Sequence, residues 1–358
     1  MSHPLRLVEI EGKGRGYVAT EPLKGGQVIF RESPILVYSA YPLKRSEHQE
    51  LGSVYSRYCA HCYKSLVSGT AGDCTALTCL SCSHPDYASF CSRNCQSLAL
   101  SSTHSPFVCE SLNYLRNCPL LSDNQPEERQ VQARYLVTAY NLAMISPSAF
   151  QTLLSLHGNG ARYMDIATFL HPIISSLPFP KGFDILSIGM SAGLLDKEMS
   201  NSFNLMEPRQ ESGKRGIRAY ALYPNVSLFN HSCMPNACRF EYIDSETDGN
   251  NTDIIIRMMH DVPEGQEICL SYVRVNRTYS DRKKRLLEYF GFVCVCDRCK
   301  VEANSSQDES NCFDFGMKFV CDKENCGGTL APLPTSADGC SSDYMECNYC
   351  GSLKNHKL

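Results

Sequence analysis

Two nearby stretches decide the fold: Tyr-Pro-Asn-Val-Ser-Leu-Phe-Asn-His-Ser-Cys-Met-Pro-Asn at residues 223–236 and Glu-Gly-Gln-Glu-Ile-Cys-Leu-Ser-Tyr at residues 264–272. In the first, the apolar segment Val-Ser-Leu-Phe is followed at once by the polar residues Asn230, His231 and Cys233. Buried polar groups need hydrogen-bond partners. The sequence therefore predicts a loop that either satisfies its polar groups internally or holds a ligand.

Strand-like segments surround these two stretches. Extended sequence recurs at the N-terminus and in the second half of the chain, and Gly, Pro and Asn turns separate the segments. The predicted strands are 5–10, 17–20, 27–32, 216–222, 237–243, 253–260 and 267–273. We expect the strands at 237–243 and 253–260 to pair across the turn-rich residues 244–252.

The turn between the first two predicted strands contains Lys13, Gly14, Arg15 and Gly16. Glycines in such a turn let the backbone approach a ligand closely, but they equally suit a tight hairpin turn. The motif alone favours the hairpin turn.

Cysteine is the unusual component of the composition, with 21 Cys in 358 residues beside 10 His. The N-terminus has no signal-peptide character, so we expect a reducing compartment, where clustered Cys bind metal more often than they form disulfides. The overall composition, 43% hydrophobic and 20% charged with a net charge of −4, is ordinary for a soluble globular protein. Zinc is the leading explanation for the cysteines.

Residues 59–109 carry ligand pairs at metal-binding spacing. The pairs are Cys59/Cys62, Cys79/Cys82, Cys91/Cys95 and His104/Cys109. Tetrahedral zinc takes four N or S ligands, so eight ligands suffice for two closed sites. A region this small and polar could hardly form a core without metal. Cys74 and His61 lie in the same region and could compete as ligands.

Residues 111–205 are predicted to be largely helical, because apolar residues recur there with a period near 3.6. The predicted helices are 129–145, 147–157, 161–177 and 185–205. Ser146 and Pro147 suit the N-cap and first position of the second of these helices. The apolar side chains here are most simply core residues. Asn201 is the one residue of this region for which we expect a chemical role.

A basic helix is predicted over residues 281–290, capped by Ser280 and ended by Gly291. Its run Asp-Arg-Lys-Lys-Arg, which includes Arg282, is expected to be a solvated face. The residues that follow contain a Cys-x-Cys-x-x-Cys motif, which offers three thiolates and lacks a fourth ligand. These thiolates are Cys294, Cys296 and Cys299.

The C-terminal part begins with a polar linker at 302–311 and contains two further cysteine pairs. These pairs are Cys321/Cys326 and Cys347/Cys350. Each pair lies near glycine, and together they resemble a zinc ribbon.

Four features, in this chain order, resemble the SET-and-MYND type of SET-domain lysine methyltransferase, and most closely its plant branch. They are the turn at 13–17, the Cys/His pairs of 59–109, the segment 230–236, and the segment 264–272 with the later Cys-x-Cys-x-x-Cys. The resemblance extends from about residue 5 to residue 299. Each feature alone is weak, but the ordered combination is specific.

The resemblance implies an α+β fold, in which a MYND zinc finger and a helical insert interrupt the SET-domain β structure. The Asn-His segment is expected to be threaded as a pseudoknot. The implied divisions are 1–50 (N-terminal part of the SET domain), 51–112 (MYND-type finger), 113–210 (helical insert), 211–274 (core SET domain), 275–300 (post-SET) and 301–358 (linker and zinc-ribbon-like module).

The resemblance also implies how the metal ligands combine. The pairs of a MYND finger interleave, which puts Cys59, Cys62, Cys91 and Cys95 on one zinc ion and Cys79, Cys82, His104 and Cys109 on another. Cys233 is implied to be the missing ligand of the post-SET site. With the ribbon, we expect four zinc ions. The remaining cysteines read as ordinary thiols: Cys74, Cys118, Cys238, Cys269, Cys312 and Cys340.

The implied reaction is methyl transfer from S-adenosylmethionine to a lysine amine. The resemblance makes Tyr272 the catalytic side chain, and it makes Tyr223 a lining residue of the lysine channel, although a core role for Tyr223 is nearly as well supported. The implied cofactor contacts are Lys13, Gly14, Arg15, Gly16, Asn201, Asn230, His231, Tyr272 and Phe292.

The expected partner is a lysine of a histone or another protein, with a proline-containing peptide as a further partner of the finger. Between residues 59 and 109, Lys64 and Arg93 balance Asp73 and Asp86, so DNA binding has little support. We expect a monomer in the nucleus or cytoplasm, without membrane attachment. Because only the ribbon follows the post-SET segment, the substrate groove should be open.

Two alternatives to an active enzyme follow from the same features. One is a SET-and-MYND adaptor that binds proteins without turnover, and the other is a scaffold whose zinc modules assemble a complex. Asn230, His231 and Tyr272 speak against the adaptor, because an adaptor needs none of them.

Overall fold

The computed structural model describes residues 4–43, 58–66, 77–82, 88–121, 125–209, 215–244, 250–304, 318–324, 326–334 and 342–355. The strands are β1 Leu5–Ile10, β2 Gly14–Ala19, β3 Val28–Glu32, β4 Leu36–Ser39, β5 Leu77–Thr78, β6 Ser89–Phe90, β7 Ser202–Met206, β8 Ile217–Leu222, β9 Asn230–His231, β10 Ala237–Phe240, β11 Ile254–Met258, β12 Glu267–Leu270, β13 Leu330–Pro332, β14 Tyr344–Cys347 and β15 Leu353–Asn355. The α-helices are α1 Arg93–Leu100, α2 Pro106–Asn117, α3 Glu127–Ile145, α4 Pro147–Leu154, α5 Met164–Ser175, α6 Ile188–Asn201, α7 Tyr279–Arg285 and α8 Asp297–Asn304.

The two decisive stretches lie side by side in one sheet of order β1-β2-β12-β9. β12 pairs with β2 in antiparallel orientation and with β9 in parallel orientation. In the parallel pairing, Cys269 is opposite Asn230 and Leu270 is opposite His231. Strands separated by some forty residues thus deliver the polar loop and Tyr272 to the same edge.

Four further sheets, three of three strands and one of two, make up the rest of the β structure in the described residues. β10 and β11 pair as the sequence predicts, with Ala237 opposite Met258. β3 pairs with the other edge of β11. β4, β8 and β7 form a second sheet, and β13, β14 and β15 a third at the C-terminal end. β5 and β6 form a two-stranded ladder among the cysteine pairs of 59–109.

Helix α3 is the centre of a helical core that packs against β4. Its residues Tyr135, Leu136, Val137 and Tyr140 are at most 1% exposed, and helices α2, α5 and α6 cover it. A helix that is apolar on several sides has to be buried in this way. In the described part of the chain, no helix is both long and apolar enough to cross a membrane.

The predicted helix over 185–205 is wrong at its C-terminal end. Helix α6 stops at Asn201, and Ser202–Met206 forms the edge strand β7, which pairs with β8. Pairing with β8 overrides the local helical spacing of the apolar residues. The helix that begins at Pro147 also ends early, at Leu154, and Ser146 makes no side-chain cap hydrogen bond.

The predicted cap of the basic helix is also wrong. The side chain of Thr278, not Ser280, accepts a hydrogen bond from the backbone N–H of Asp281 at 3.3 Å. After Arg285 the helix continues as a π-helical turn, and Gly291 ends it with a φ of 76°. That left-handed conformation favours glycine, so the predicted end of the helix is confirmed.

Candidate functional site

The polar loop is held by the segment that precedes Tyr272. The Nδ1 atom of His231 accepts a hydrogen bond of 3.0 Å from the backbone N–H of Tyr272. The side chain of Asn236 donates to the carbonyl of Glu267 and accepts from the N–H of Cys269, both at 2.8 Å. These polar groups therefore satisfy each other internally.

Both ring nitrogens of His231 have protein neighbours. A backbone N–H can only donate, so Nδ1 must be unprotonated and the ring proton must be on Nε2. Nε2 lies 3.3 Å from the sulfur of Cys233. The neutral imidazole thus links Tyr272 to Cys233, and a cofactor contact by His231 has to come from its backbone.

Asn230 lies against the turn between β1 and β2. Its Nδ2 atom donates to Oε1 of Glu267 at 3.0 Å and to the carbonyl of Arg15 at 3.3 Å. A Cβ atom on Gly16 would lie only 2.4 Å from that Nδ2 atom, so a larger residue at position 16 would displace the Asn230 side chain. Lys13 pairs with Oε2 of Glu267 at 2.5 Å. The turn therefore closes the β1–β2 hairpin and also brings its backbone close to Asn230.

Tyr272 presents a protonated hydroxyl beside the end of β12. The hydroxyl donates to the carbonyl of Phe229 at 2.8 Å. The ring centroid lies 4.8 Å from that of Phe290 and 6.3 Å from that of Phe292. Burial raises the pKa of Tyr272 above its ordinary value, so the hydroxyl remains a neutral donor at physiological pH.

A cleft of about 1150 Å³ opens beside Tyr272. Its walls include the end of α6, the strands β7 and β10, the segment 270–274 and part of the C-terminal module. Asn201 lies on this wall, where its Nδ2 atom donates to the carbonyls of His157 (2.8 Å) and Lys197 (2.7 Å). Among the described residues, that leaves its side-chain carbonyl oxygen for a ligand.

The structure places Tyr223 in the core rather than in a channel. Its side chain is 0% exposed, its hydroxyl donates to the carbonyl of Thr252, and its ring packs edge-on against Phe203. Tyr223 is also absent from the cleft wall. The predicted channel role is therefore corrected to the core role. Phe292 is half-buried, with its ring centroid 5.9 Å from that of His231.

The structure brings the predicted metal ligands together in four groups. In each group the ligand atoms lie within 4.8 Å of one another. The groups are Cys59, Cys62, Cys91 and Cys95; Cys79, Cys82, His104 and Cys109; Cys233, Cys294, Cys296 and Cys299; and Cys321, Cys326, Cys347 and Cys350. Their membership is the one that the sequence analysis expected. Cys74 lies outside the described residues, and His61 contacts Thr103 at 3.2 Å instead.

The spacing within these groups suits tetrahedral zinc. A Zn–S bond near 2.3 Å puts tetrahedral sulfur ligands about 3.8 Å apart. The sulfur atoms lie 3.6 Å apart for Cys62 and Cys91, and 3.5 Å apart for Cys233 and Cys299. Disulfides are much shorter, and the described cysteines are all free. The donor sets therefore fit zinc.

His104 is in the protonation state that a metal ligand needs. Burial, reinforced by the charge of Arg116, lowers the pKa of His104 to about 4. Its imidazole is then neutral at physiological pH, and its Nε2 atom lies 3.3 Å from the sulfur of Cys82. Neutral imidazole nitrogen and thiolate sulfur are both ordinary zinc ligands.

Arg282 is not on a solvated face, as the basic run predicted, but is 0% exposed. Its Nε atom donates to the sulfur of Cys233 at 3.3 Å, and its guanidinium also pairs with Glu302. Arg298 donates to the same Glu302 at 2.8 Å. The sequence does contain a signal for this burial: Arg282 and the buried Leu286 are four residues apart, on one helix face.

The C-terminal module is docked by buried ion pairs that the sequence analysis missed. Glu346 on β14 is 5% exposed and pairs at 3.0 Å with both Arg257 and Arg209. Arg257, itself 1% exposed, also stacks over the Phe240 ring at 3.5 Å. Charges this buried have to be paired. Single charged residues in separate strands give no pattern from which such pairing can be read.

Comparison with known proteins agrees with this geometry. The family described as SET domain matches residues 14–273. The chain is 45% identical to histone-lysine N-methyltransferase ASHR2 of Arabidopsis thaliana, over 99% of this chain and 96% of that protein. It is 25% identical to histone-lysine N-methyltransferase SMYD3 of Homo sapiens, over 81% of this chain and 60% of that protein.

A third relative is described as a SET-domain protein. SET domain-containing protein SmydA-8, isoform B, of Drosophila melanogaster is 24% identical over 92% of this chain and 63% of that protein. The chain thus spans less than two thirds of the human and fly proteins but nearly all of the plant one. The family match covers well over half of the chain, and the chain therefore belongs to the SET-domain family, where it is similar to the SET-and-MYND proteins.

Proposed function

We propose that the protein is an S-adenosylmethionine-dependent protein-lysine N-methyltransferase. The observation that carries the proposal is the neutral Tyr272 hydroxyl, fixed on the Phe229 carbonyl beside a large cleft. The 45% identity to a protein named as a histone-lysine N-methyltransferase, over almost the whole length of both chains, supports it.

The residues around β9 fit the cofactor. Asn230 and the backbone of the turn at 13–16 converge on one another, and the half-buried Phe292 ring lies next to His231. An amide, backbone polar groups and an aromatic face suit an amino acid carboxylate, an amine and an adenine ring. We infer that Lys13 to Gly16, Asn230, His231 and Phe292 hold the cofactor, with Asn201 contributing from the cleft side. When bound, S-adenosylmethionine supplies an electrophilic methyl group.

The protein's own part in the reaction is mainly positioning. The Tyr272 hydroxyl donates to the Phe229 carbonyl, and the Tyr272 ring packs against the Phe290 and His231 rings, so the direction of the hydroxyl is fixed before substrate arrives. A lysine amine desolvated beside these rings loses its proton readily, which makes it a nucleophile. Orientation of the amine by Tyr272, with water kept out, can then supply much of the rate enhancement.

We further propose that the four cysteine-containing groups hold zinc as two ions in a MYND finger, one in a post-SET site and one in the C-terminal module. The spacing of the sulfur atoms supports this arrangement. In the post-SET site, Cys233 would tie the loop that carries Asn230 to the segment that carries Phe292. That zinc would therefore organise the cofactor residues.

The partner proposed for the cleft is a lysine of a histone or another protein. The names of the plant and human relatives support a histone and action in the nucleus. A proline-containing peptide is proposed for the finger, while its balanced charge gives DNA little support. The protein is expected to act as a monomer.

Labelled S-adenosylmethionine offers the direct test. Purified protein is incubated with labelled cofactor and either core histones or a proteome extract. Transfer of label to lysine is expected in at least one of the two. Zinc content and cofactor binding are measured on the same sample. If a protein that holds its zinc and binds the cofactor transferred no methyl group, the proposed activity would be rejected in favour of a binding adaptor without turnover.

A further inference from the structure

The C-terminal module contributes a wall to the cleft in which the lysine reacts. The lining residues from this module are Gly327, Gly328, Thr329, Asn348 and Tyr349. They cannot move independently of the SET domain, because Arg215 donates to the carbonyl of Tyr349 at 2.6 Å and Glu346 is buried against Arg257. A protein whose lysine reaches Tyr272 must therefore meet this wall.

Arg239 and Arg274 line the cleft close to the point where the module meets the SET domain. The guanidinium carbon of Arg274 lies 5.3 Å from the ring centroid of Tyr349, and a Cβ atom on Gly327 would come within 3.2 Å of the Arg274 side chain. The Arg274 side chain thus contacts the module. The carbonyl of Arg239 accepts a 3.1 Å hydrogen bond from the side chain of Asn348.

These two arginines carry positive charge that no carboxylate among the described residues neutralises. Within the described ranges, no ion pair of Arg239 or Arg274 is found, and Arg274 is exposed. Glu241, the acidic residue beside them on the wall, is already bound by Arg215 at 3.1 Å and by the backbone N–H of Met206 at 2.9 Å. The Arg239 guanidinium stacks over the Phe203 ring, 5.5 Å from its centroid, and neither guanidinium has a carboxylate partner among the described residues, so both keep their charge for an incoming anion.

We propose that Arg239 and Arg274, supported by the C-terminal module, recognise an acidic side chain that flanks the methylated lysine in the substrate protein. The planar guanidinium matches a carboxylate with two parallel hydrogen bonds, and contact with the Tyr349 ring limits the positions open to Arg274 before the substrate arrives. The proposal rests on the proposed function, because it places the acidic residue next to the target lysine. It makes the C-terminal module part of substrate selection.

Direct binding tests the proposal with the full-length protein. The probes are labelled peptides that carry one central lysine flanked by Asp and Glu, by Ala, or by Lys, and the readout is fluorescence anisotropy. The acidic-flank peptides are expected to bind about tenfold more tightly than the basic-flank peptides, as for one charge-assisted hydrogen bond. Arg274→Glu and Arg239→Glu are each expected to remove or reverse that order.

The matched control is Arg6→Glu, a charge reversal on the exposed β1 strand, which should leave the preference intact. Tyr349→Leu removes the ring on which Arg274 lies and should weaken the preference, whereas Tyr349→Phe keeps the ring and should retain it. Zinc content is measured for both variants to show that the module is intact. Equal binding of all three peptide classes by the unmodified protein would overturn the proposal, as would an unchanged preference in both arginine variants.

Methyl transfer to the same peptides separates this proposal from the proposed function. If transfer occurs, Arg274→Glu should raise KM for acidic-flank peptides while kcat changes little, because Arg274 binds the substrate in both ground and transition states. If no peptide is methylated, the proposed function fails, but the order of peptide affinities still decides whether this wall selects acidic sequence.

Discussion

The Nε atom of Arg282 lies 3.3 Å from the sulfur of Cys233, in the interior of the protein. Arg282 is 0% exposed, and its guanidinium also binds Glu302, which Arg298 holds from the other side. An N–H donor directed at sulfur favours the thiolate, the form of cysteine that binds metal. The group of Cys233, Cys294, Cys296 and Cys299 is thus supported by three charged side chains.

Arg282→Met should destabilise the fold and weaken this metal site. The substitution leaves Glu302 with Arg298 alone and removes the hydrogen bond to Cys233, so we expect a loss of about 3 kcal/mol in the free energy of unfolding. Chemical denaturation and zinc content are the measurements. Lys283→Met, on the exposed side of the same helix, should change little. Similar losses in both variants would contradict the buried role of Arg282.

Cys233→Ser should lose zinc and cofactor binding together. Cys233 follows His231 by two residues, and its sulfur belongs to the same group as Cys294. Without the metal, the segment that carries Phe292 is no longer tied to the Asn230 loop, so cofactor affinity should fall by about tenfold or more. Mass spectrometry counts the zinc and calorimetry measures the affinity. Cys238→Ser, outside the four groups, is the control. If the variant held one zinc ion fewer but bound the cofactor normally, cofactor binding would not depend on this metal site.

Glu346→Gln should loosen the C-terminal module. The change keeps the size of the side chain but leaves Arg257, which is 1% exposed, without a counter-charge. A cost of about 3 kcal/mol is expected for breaking a buried pair. Limited proteolysis and denaturation should show it, and Glu324→Gln, exposed in the same module, should behave like the unmodified protein. If the Glu346→Gln protein resisted proteolysis and denaturation as well as the unmodified protein does, docking of the C-terminal module would not depend on this ion pair.

Asp196 should contribute stability that is lost in acid. Burial acts to raise the pKa of Asp196, but hydrogen bonds from the backbone N–H of Gly160 and from Arg162 outweigh burial and lower it below the ordinary 3.8. The charged form is therefore favoured in the folded state. The contribution is complete above about pH 4 and disappears as the pH falls through the lowered folded-state value.

Asp196→Asn measures this contribution. The variant should be about 1 to 2 kcal/mol less stable than the unmodified protein at pH 7, because the hydrogen bond from Arg162 is no longer assisted by charge. The difference should shrink when urea denaturation is repeated at progressively lower pH below 4. Comparing the two proteins at each pH removes the shared effect of acid on the metal sites. A difference that stays constant down to pH 2 would contradict the assignment.

The sequence predicted the elements whose causes are local. The strands, the glycine that ends the basic helix and the cysteine pairs are all encoded within a few residues. Pairing of 237–243 with 253–260 also follows from their neighbourhood in the chain, and the structure confirms it. The grouping of the pairs in 59–109 and the inclusion of Cys233 came from the resemblance, since spacing alone leaves those partners open, whereas the C-terminal pairs were grouped from the sequence itself.

Three sequence-based predictions were wrong because tertiary contacts outweighed the local sequence pattern. Residues 202–206 have helical spacing but form a strand, because β8 offers them a partner. Arg282 lies in a basic run that is usually solvated, yet Cys233 and Glu302, distant in sequence, require it inside. Tyr223 sits beside the decisive loop but points into the core. In each case the decisive partner is remote in sequence.

Methyl transfer by Tyr272→Phe tests the central claim most directly. The variant keeps the ring contacts with Phe290 and His231 but loses the hydroxyl that donates to the Phe229 carbonyl. With labelled S-adenosylmethionine and core histones or a proteome extract, transfer to lysine should fall by about a hundredfold or more. Cofactor affinity, measured by calorimetry on the same preparation, should stay within about threefold. Transfer at the unmodified rate by Tyr272→Phe would contradict the account.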